Sequence, residues 1–227
     1  MELLKILTAA AALVMFAVSA QSAQIRVSQE TSAGAGDFDS NIVGYIDAIV
    51  HASTIADFYA YGAPNAASYN SDSAHGGPAD VPGNSLILFV AATDGLNLFH
   101  MHDGAGGDGG TVANTCTMST AGAAFTVVDD GESSVIVVAG TSFKTSRGWV
   151  GCCTDGAAMG DVAGVETIYA EFDSFSSLNS WTALDGSSSI SLVFAADQRV
   201  RFDVPAPAGV LLLGAGLVVL GLRRKAA

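Results

Sequence analysis

The chain has 227 residues, half of them hydrophobic, and a formal net charge of −13 at neutral pH. Only Glu2 of the 22 acidic residues lies outside residues 21–204, and only five of the nine basic residues lie inside, which gives this segment a formal charge of −16. So acidic a surface repels phosphate backbones, which argues against nucleic-acid binding. The length suffices for one domain with a substantial core.

The first 20 residues have the order that is typical of a secretory signal peptide. Lys5 precedes the apolar run "ILTAAAALVMFAV", and small residues follow it. Val18 and Ala20 fit the requirement for small residues before a cut after Ala20, and a cut after Ala23 is an alternative. We predict a signal helix over residues 1–20, with the Sec-type export machinery and signal peptidase as partners. A buried N-terminal helix is the other interpretation.

The next part of the chain gives weaker signals. The stretch "NIVGYIDAIVHASTIADFYAYG" is consistent with one helix or with two strands, because its apolar positions are too dense to show a period. Residues 62–84 are rich in Gly, Pro, Ser and Asn, so we expect a flexible surface loop there.

From Ser85 onward, short β-prone runs alternate with turn signals. Asp94-Gly95 joins "SLILFVAAT" to "LNLFHMH" and predicts a type I′ hairpin, and Asp130-Gly131 predicts a second hairpin between "AAFTVV" and "SSVIVVAG". The final run, "RVRFDV", alternates polar and apolar residues and predicts a half-buried last strand. The pattern predicts a mainly β fold, an antiparallel β-sandwich forming a single acidic domain over residues 21–204.

The stretch "FHMHDGAGGDGG" contains the strongest candidate for a metal site. On a strand, His100 and His102 point to the same face and can ligate zinc or copper, and Asp103 can add a ligand or orient a ring. The longer motifs of known His-x-His metal enzymes are missing, so the alternative is an ordinary strand end that enters a Gly-rich loop. The loop 103–110 also contains one partial copy of a Gly-Asp calcium motif, for which an ordinary flexible turn is the other interpretation. We expect the protein to have no cofactor, with Ca²⁺ bound by this acidic loop as the alternative.

The motifs of nucleophilic catalysis are missing from the sequence. There is no Gly-x-Ser-x-Gly elbow, and "GCCTDG" has no histidine nearby. Acidic residues are scattered, so no pair is marked out for glycoside cleavage. We therefore expect a protein that is not an enzyme.

Three cysteines are present, and an exported chain meets oxidising conditions. We expect Cys116 to pair with Cys152 or Cys153, which leaves one thiol over. A vicinal Cys152–Cys153 bridge is the alternative, and the leftover thiol can join two chains.

The C-terminus combines a proline motif, an apolar span and a basic end. The motif consists of Val204, Pro205, Ala206, Pro207 and Ala208. The span from Ala208 to Leu222 covers 15 residues, roughly 22 Å as a helix, against the ~30 Å of a hydrocarbon core. Basic residues follow at once, as the positive-inside rule expects of a segment that stops in the membrane. They are Arg223, Arg224 and Lys225. We predict a C-terminal transmembrane helix within 205–227.

This arrangement resembles the sorting signals of the PEP-CTERM class, in particular the variant whose motif reads Val-Pro-Leu-Pro-Ala. Ala206 stands where that variant usually has leucine. The resemblance covers about the last 24 residues, with the signal peptide as its usual companion. It implies export in a Gram-negative bacterium that makes exopolysaccharide, and an inner-membrane intermediate that an exosortase recognises. The body is then released or attached at the cell surface; a plain uncleaved anchor is the alternative.

These observations favour an exported structural or interaction protein of the cell surface or extracellular matrix, associated with exopolysaccharide or biofilm. The alternative is an exported metal-dependent hydrolase or metal-binding protein that uses His100 and His102.

Overall fold

The computed structural model describes most of the predicted body. The described residues are 24–59, 82–102, 109–120, 122–128, 134–138, 141–149, 155–185 and 188–205. One compact unit runs from Gln24 to Val204. The predicted signal helix, most of the 62–84 loop and the chain after Pro205 lie outside the described residues.

The described part of the chain forms fourteen strands, one short α-helix and two 3₁₀ turns. The strands are β1 (Ile25–Gln29), β2 (Ile42–Ile46), β3 (Ile49–Val50), β4 (Asn84–Ala92), β5 (Gly95–His102), β6 (Gly110–Met118), β7 (Ala124–Val128), β8 (Ser134–Val138), β9 (Ser142–Trp149), β10 (Asp155–Gly160), β11 (Thr167–Ser176), β12 (Ser180–Asp185), β13 (Ser188–Ser191) and β14 (Val200–Asp203). Helix α1 spans Ile55–Tyr59, and the 3₁₀ turns span Phe38–Ser40 and Val162–Gly164.

The strands form two seven-stranded sheets. The first has the order β2-β1-β14-β11-β6-β9-β8 and is antiparallel throughout. The second has the order β13-β12-β4-β5-β10-β7, with β3 also paired to β4. Strand β4 runs parallel to both β12 and β3. The prediction of a mainly β body is confirmed, but the second sheet is mixed, because β12 joins β4 from a distant part of the chain.

The largest core cluster contains side chains from both sheets. It includes Val27 and Phe202 of the first sheet and Ile87 and Phe89 of the second, all fully buried. Their burial removes apolar surface from water, at roughly 25 cal/mol for each Å². The inner faces of the two sheets therefore share one core.

Strand β4 is buried on both faces. Its other face packs on helix α1, where Ile55, Phe58 and Tyr59 meet Leu86, Leu88 and Val90. A strand covered on both sides needs apolar residues at every position, which explains the unbroken run "LILFV".

The first predicted hairpin exists, but its turn differs from the prediction. Ala92 is opposite Gly95, so Thr93 and Asp94 are the central residues, and Asp94 does not have the positive φ that a type I′ turn requires. The Asp94 carboxylate instead accepts the backbone N–H of Ile55 at 3.1 Å and so caps helix α1.

The second predicted hairpin is wrong. The strands on either side of Asp130-Gly131 belong to different sheets, since β7 pairs with β10 and β8 pairs with β9. A turn signal in the sequence contains no information on which sheet the next strand joins.

Candidate functional site

The two histidines of the predicted metal site lie inside the body, at the end of β5. Alternate residues of β5 face opposite sides of the second sheet. Phe99 and Met101 pack toward helix α1, whereas His100 and His102 face the first sheet. Both rings are buried, at 6% and 1% exposure, and their centroids lie 4.4 Å apart.

Ser85 on β4 joins the two imidazoles. The register of β4 and β5 places Ser85 opposite His102 and Ile87 opposite His100. The Ser85 Oγ atom lies 3.0 Å from His100 Nε2, 2.9 Å from His102 Nδ1 and 3.2 Å from the carbonyl oxygen of Met101. A hydroxyl has one proton, so at least one of the two rings donates an N–H to Ser85.

The network continues across the core to the first sheet. Asn114 on β6 places its Nδ2 atom 3.4 Å from His100 Nδ1. Thr145 on β9, directly opposite Asn114 in the register, donates its hydroxyl to the Asn114 Oδ1 atom. A chain of polar groups therefore runs from Thr145 through Asn114 and His100 to Ser85 and His102.

Aromatic side chains enclose the histidine pair. The Trp181 ring is stacked on His100 with centroids 5.7 Å apart and planes at 25°, and Phe172 lies 5.7 Å from His100 and 6.2 Å from His102. Trp181 and Phe172 are themselves buried. The imidazoles are therefore held in an apolar surrounding in which an unpaired polar group costs free energy.

The connectivity Ser85–His100–Asn114 has the residue types of a catalytic triad, and the tautomer of His100 decides the polarity of its hydrogen bonds. If the Asn114 amide donates to Nδ1 of a neutral His100, the ring proton is on Nε2; His100 then donates to Ser85 and does not act as a base toward that hydroxyl. Ser85 is also fully buried. The arrangement acts as a hydrogen-bond network that fixes the core.

A small cavity of about 10 Å³ lies beside the network, bounded in part by His100, His102, Asn114 and Cys116. This volume is close to the minimum for one water molecule. The described residues contain no group of three or more His, Cys, Asp or Glu side chains placed to hold a metal ion. Asp103, the predicted third ligand, lies outside the described residues, as does most of the 103–110 loop.

Cys116 is a free, buried thiol that faces the core from β6. Burial raises its pKa to about 12, and the nearby carboxylates of Glu171 and Asp173 add to this shift. The thiol therefore stays protonated and is a poor nucleophile. Cys152 and Cys153 lie outside the described residues, so the predicted disulfide stays a prediction.

The predicted sorting motif begins inside the folded body. Val204 is 4% exposed and belongs to the main core cluster, and its backbone N–H donates to the carbonyl oxygen of Glu166 at 3.0 Å. Pro205 follows and is half-buried. The rest of the motif, Ala206, Pro207 and Ala208, and the basic stop, Arg223, Arg224 and Lys225, lie outside the described residues. No helix in the described ranges is long and apolar enough to cross a membrane.

Comparison of the chain with protein-family models, with curated proteins and with solved structures finds no match. The site is therefore interpreted from its own geometry.

The sequence motif marks the two histidines but gives no sign of Ser85, Asn114 and Thr145 as their partners. The sequence contains a signal for Ser85, because it alternates with Ile87 and Phe89 and so lies on the same inward face of β4 as these apolar side chains. A polar residue at such a position needs a buried partner. Only the pairing of β4 with β5 identifies that partner as the histidine pair.

Proposed function

We propose that the chain is an exported protein of the cell surface or extracellular matrix, with a β-sandwich body presented by a C-terminal sorting signal. The signal peptide directs export, the apolar tail holds the intermediate in the inner membrane, and an exosortase-like enzyme processes it. The body acts by binding or spacing, with exopolysaccharide as the proposed partner, and not by catalysis.

The observation that carries this proposal is the pairing of the first and last strands of the body. Arg26 on β1 lies opposite Asp203 on β14, and the Arg26 Nε atom donates to Asp203 Oδ2 at 2.7 Å. The strands are antiparallel, so the start of one adjoins the end of the other. The residue that follows the predicted signal peptide, Gln24, and the first residue of the predicted sorting motif, Val204, therefore lie at the same end of the described body.

The boundaries of the body support the same interpretation. The compact unit from Gln24 to Val204 begins just after the predicted signal-peptide cuts and ends just before Pro205. Proline lacks the N–H that a further ladder bond needs, which favours an extended, accessible chain from that point on.

The buried histidine network supports a binding or structural role over a hydrolytic one. Ser85 and His102 are at most 1% exposed, and the adjacent cavity of about 10 Å³ is far too small for a sugar or a peptide. The metal-dependent alternative requires His100 and His102 to exchange their hydrogen bonds with Ser85 and Asn114 for a metal ion.

The intact mass of the protein from a Gram-negative host that has an exosortase tests this proposal. We expect a mature chain that starts after Ala20 or Ala23 and has lost the residues beyond about Ala206–Ala208. A double substitution, Pro205→Ala with Pro207→Ala, should leave the tail attached, and a host without the enzyme provides the matched control. A cytosolic protein that retains both ends would contradict the proposal, and a tail retained in every host would leave only the plain anchor.

A further inference from the structure

The boundary between folded body and sorting signal falls within the motif, after its first residue. The side chain of Val204 belongs to the main core cluster. Its backbone N–H donates to the carbonyl oxygen of Glu166, the residue before β11. Pro205 has no N–H and cannot extend the ladder. Val204 is therefore both the first residue of the predicted motif and a part of the folded body.

The end of β14 is held from both sides. β14 lies between β1 and β11, where Asp203 is opposite Arg26 on one side and Thr167 on the other. The Asp203 carboxylate accepts from Arg26 at 2.7 Å and from the Thr167 hydroxyl at 3.3 Å. Releasing Val204 therefore disturbs an interior strand of the sheet.

We propose that the folded body sequesters Val204, so that the processing enzyme engages the complete motif only when the end of β14 opens. This inference rests on the proposed function of the tail. Enzymes and receptors that read an extended peptide use its backbone groups and its alternate side chains. In the folded body, the backbone donor and the side chain of Val204 are both occupied.

The physical consequence is a processing rate that follows the population of the open end. If only a fraction of molecules exposes Val204 at any time, the observed rate is reduced by that fraction. The processing enzyme therefore removes the tail fastest from chains in which β14 has not yet joined the sheet. It removes the tail more slowly once the fold is complete.

The decisive variant adds a second valine directly before Pro205, so that the motif no longer depends on the buried Val204. Insertion of Gly-Ser-Gly-Ser-Val between Val204 and Pro205 keeps Val204 in the body and restores a full motif beyond a flexible spacer. The same five residues inserted after Gly122, in an exposed segment between β6 and β7, provide a control of equal length. Pulse-chase labelling in a Gram-negative host that carries an exosortase measures the rate of tail removal for each chain.

We expect the spacer variant to be processed about tenfold faster than the unmodified chain, and the control at the unmodified rate. A second variant, Arg26→Ala, loosens the end of β14 without lengthening the chain and should be processed about threefold faster. Equal rates for the spacer variant and the unmodified chain would overturn the inference. Failure of the unmodified chain to be cut at all, while an established substrate is cut in the same host, would instead overturn the proposed function.

Discussion

At Ser85, a single hydroxyl satisfies two buried imidazoles and a backbone carbonyl. Its contacts with His100, His102 and Met101 all lie between 2.9 and 3.2 Å. A buried polar group that loses its partner costs about 1–3 kcal/mol, whereas a satisfied bond contributes about half as much. The network therefore stabilises the core only while it is complete.

We predict that Ser85→Ala lowers the free energy of unfolding by about 1–3 kcal/mol, because the ring nitrogens lose a partner inside the core. Urea denaturation of the body measures the change. Ser191→Ala, at an exposed position of β13, should change the stability by less than about 0.5 kcal/mol. A Ser85→Ala body as stable as the unmodified one would contradict the network, and stoichiometric zinc or copper in the unmodified body would favour the metal-binding alternative.

At the scale of elements, Glu30 joins the loop after β1 to the start of β14. Its buried carboxylate accepts from the Arg199 side chain at 2.6 Å, from the Arg199 backbone N–H at 3.1 Å and from the Gly36 N–H at 2.9 Å. Burial by itself would raise the pKa of Glu30. The hydrogen bonds from Arg199 and Gly36 and the charge of Arg199 outweigh that effect and lower the pKa from 4.5 to about 2.

The lowered pKa of Glu30 determines in which direction the stability of the body changes with pH. A carboxyl group with a lowered pKa in the folded state stabilises that state above its unfolded pKa, and the stabilisation is lost as pH falls. We predict that the contribution of Glu30 is complete above about pH 5 and is lost between about pH 4.5 and pH 2. Urea denaturation as a function of pH measures this loss, on the order of 2 kcal/mol.

Glu30→Gln should be less stable at neutral pH and should have a flatter profile in that window. Glu166→Gln, at an exposed side chain, is the matched control and should follow the profile of the unmodified body. Parallel profiles for Glu30→Gln and the unmodified body would contradict the assignment.

The elements that could be predicted are those whose signal is local. The alternation in "RVRFDV" predicted that Val200, Phe202 and Val204 face inward, and all three are buried. Whether Asp130-Gly131 closes a hairpin depends on pairings with β9 and β10, which no short window contains. The partners of His100 were missed for the same reason, since Asn114 reaches it from the opposite sheet.

At the scale of the whole molecule, the last of the described strands occupies an interior position in the first sheet. β14 separates the β1–β2 pair from β11 and the remaining strands. It buries Val200 and Phe202 completely. The fold is therefore closed by contacts between the two ends of the body, which is a non-local step that slows folding.

We predict that a body of residues 24–205 folds by itself, whereas residues 24–198, which lack β14, do not. Removing β14 leaves β1 and β11 without their shared partner and takes Val200 and Phe202 out of the main core cluster. The near-ultraviolet circular dichroism of the two tryptophans, of which Trp181 is buried, and the resistance to proteolysis measure the outcome. A synthetic peptide of residues 199–205 should restore both signals to the shortened body by strand addition, and the same peptide with Phe202→Asp should not. If the shortened body had the spectra and the protease resistance of the unmodified body, β14 would not be needed for folding. The proposed sequestration of Val204 would then have no structural basis.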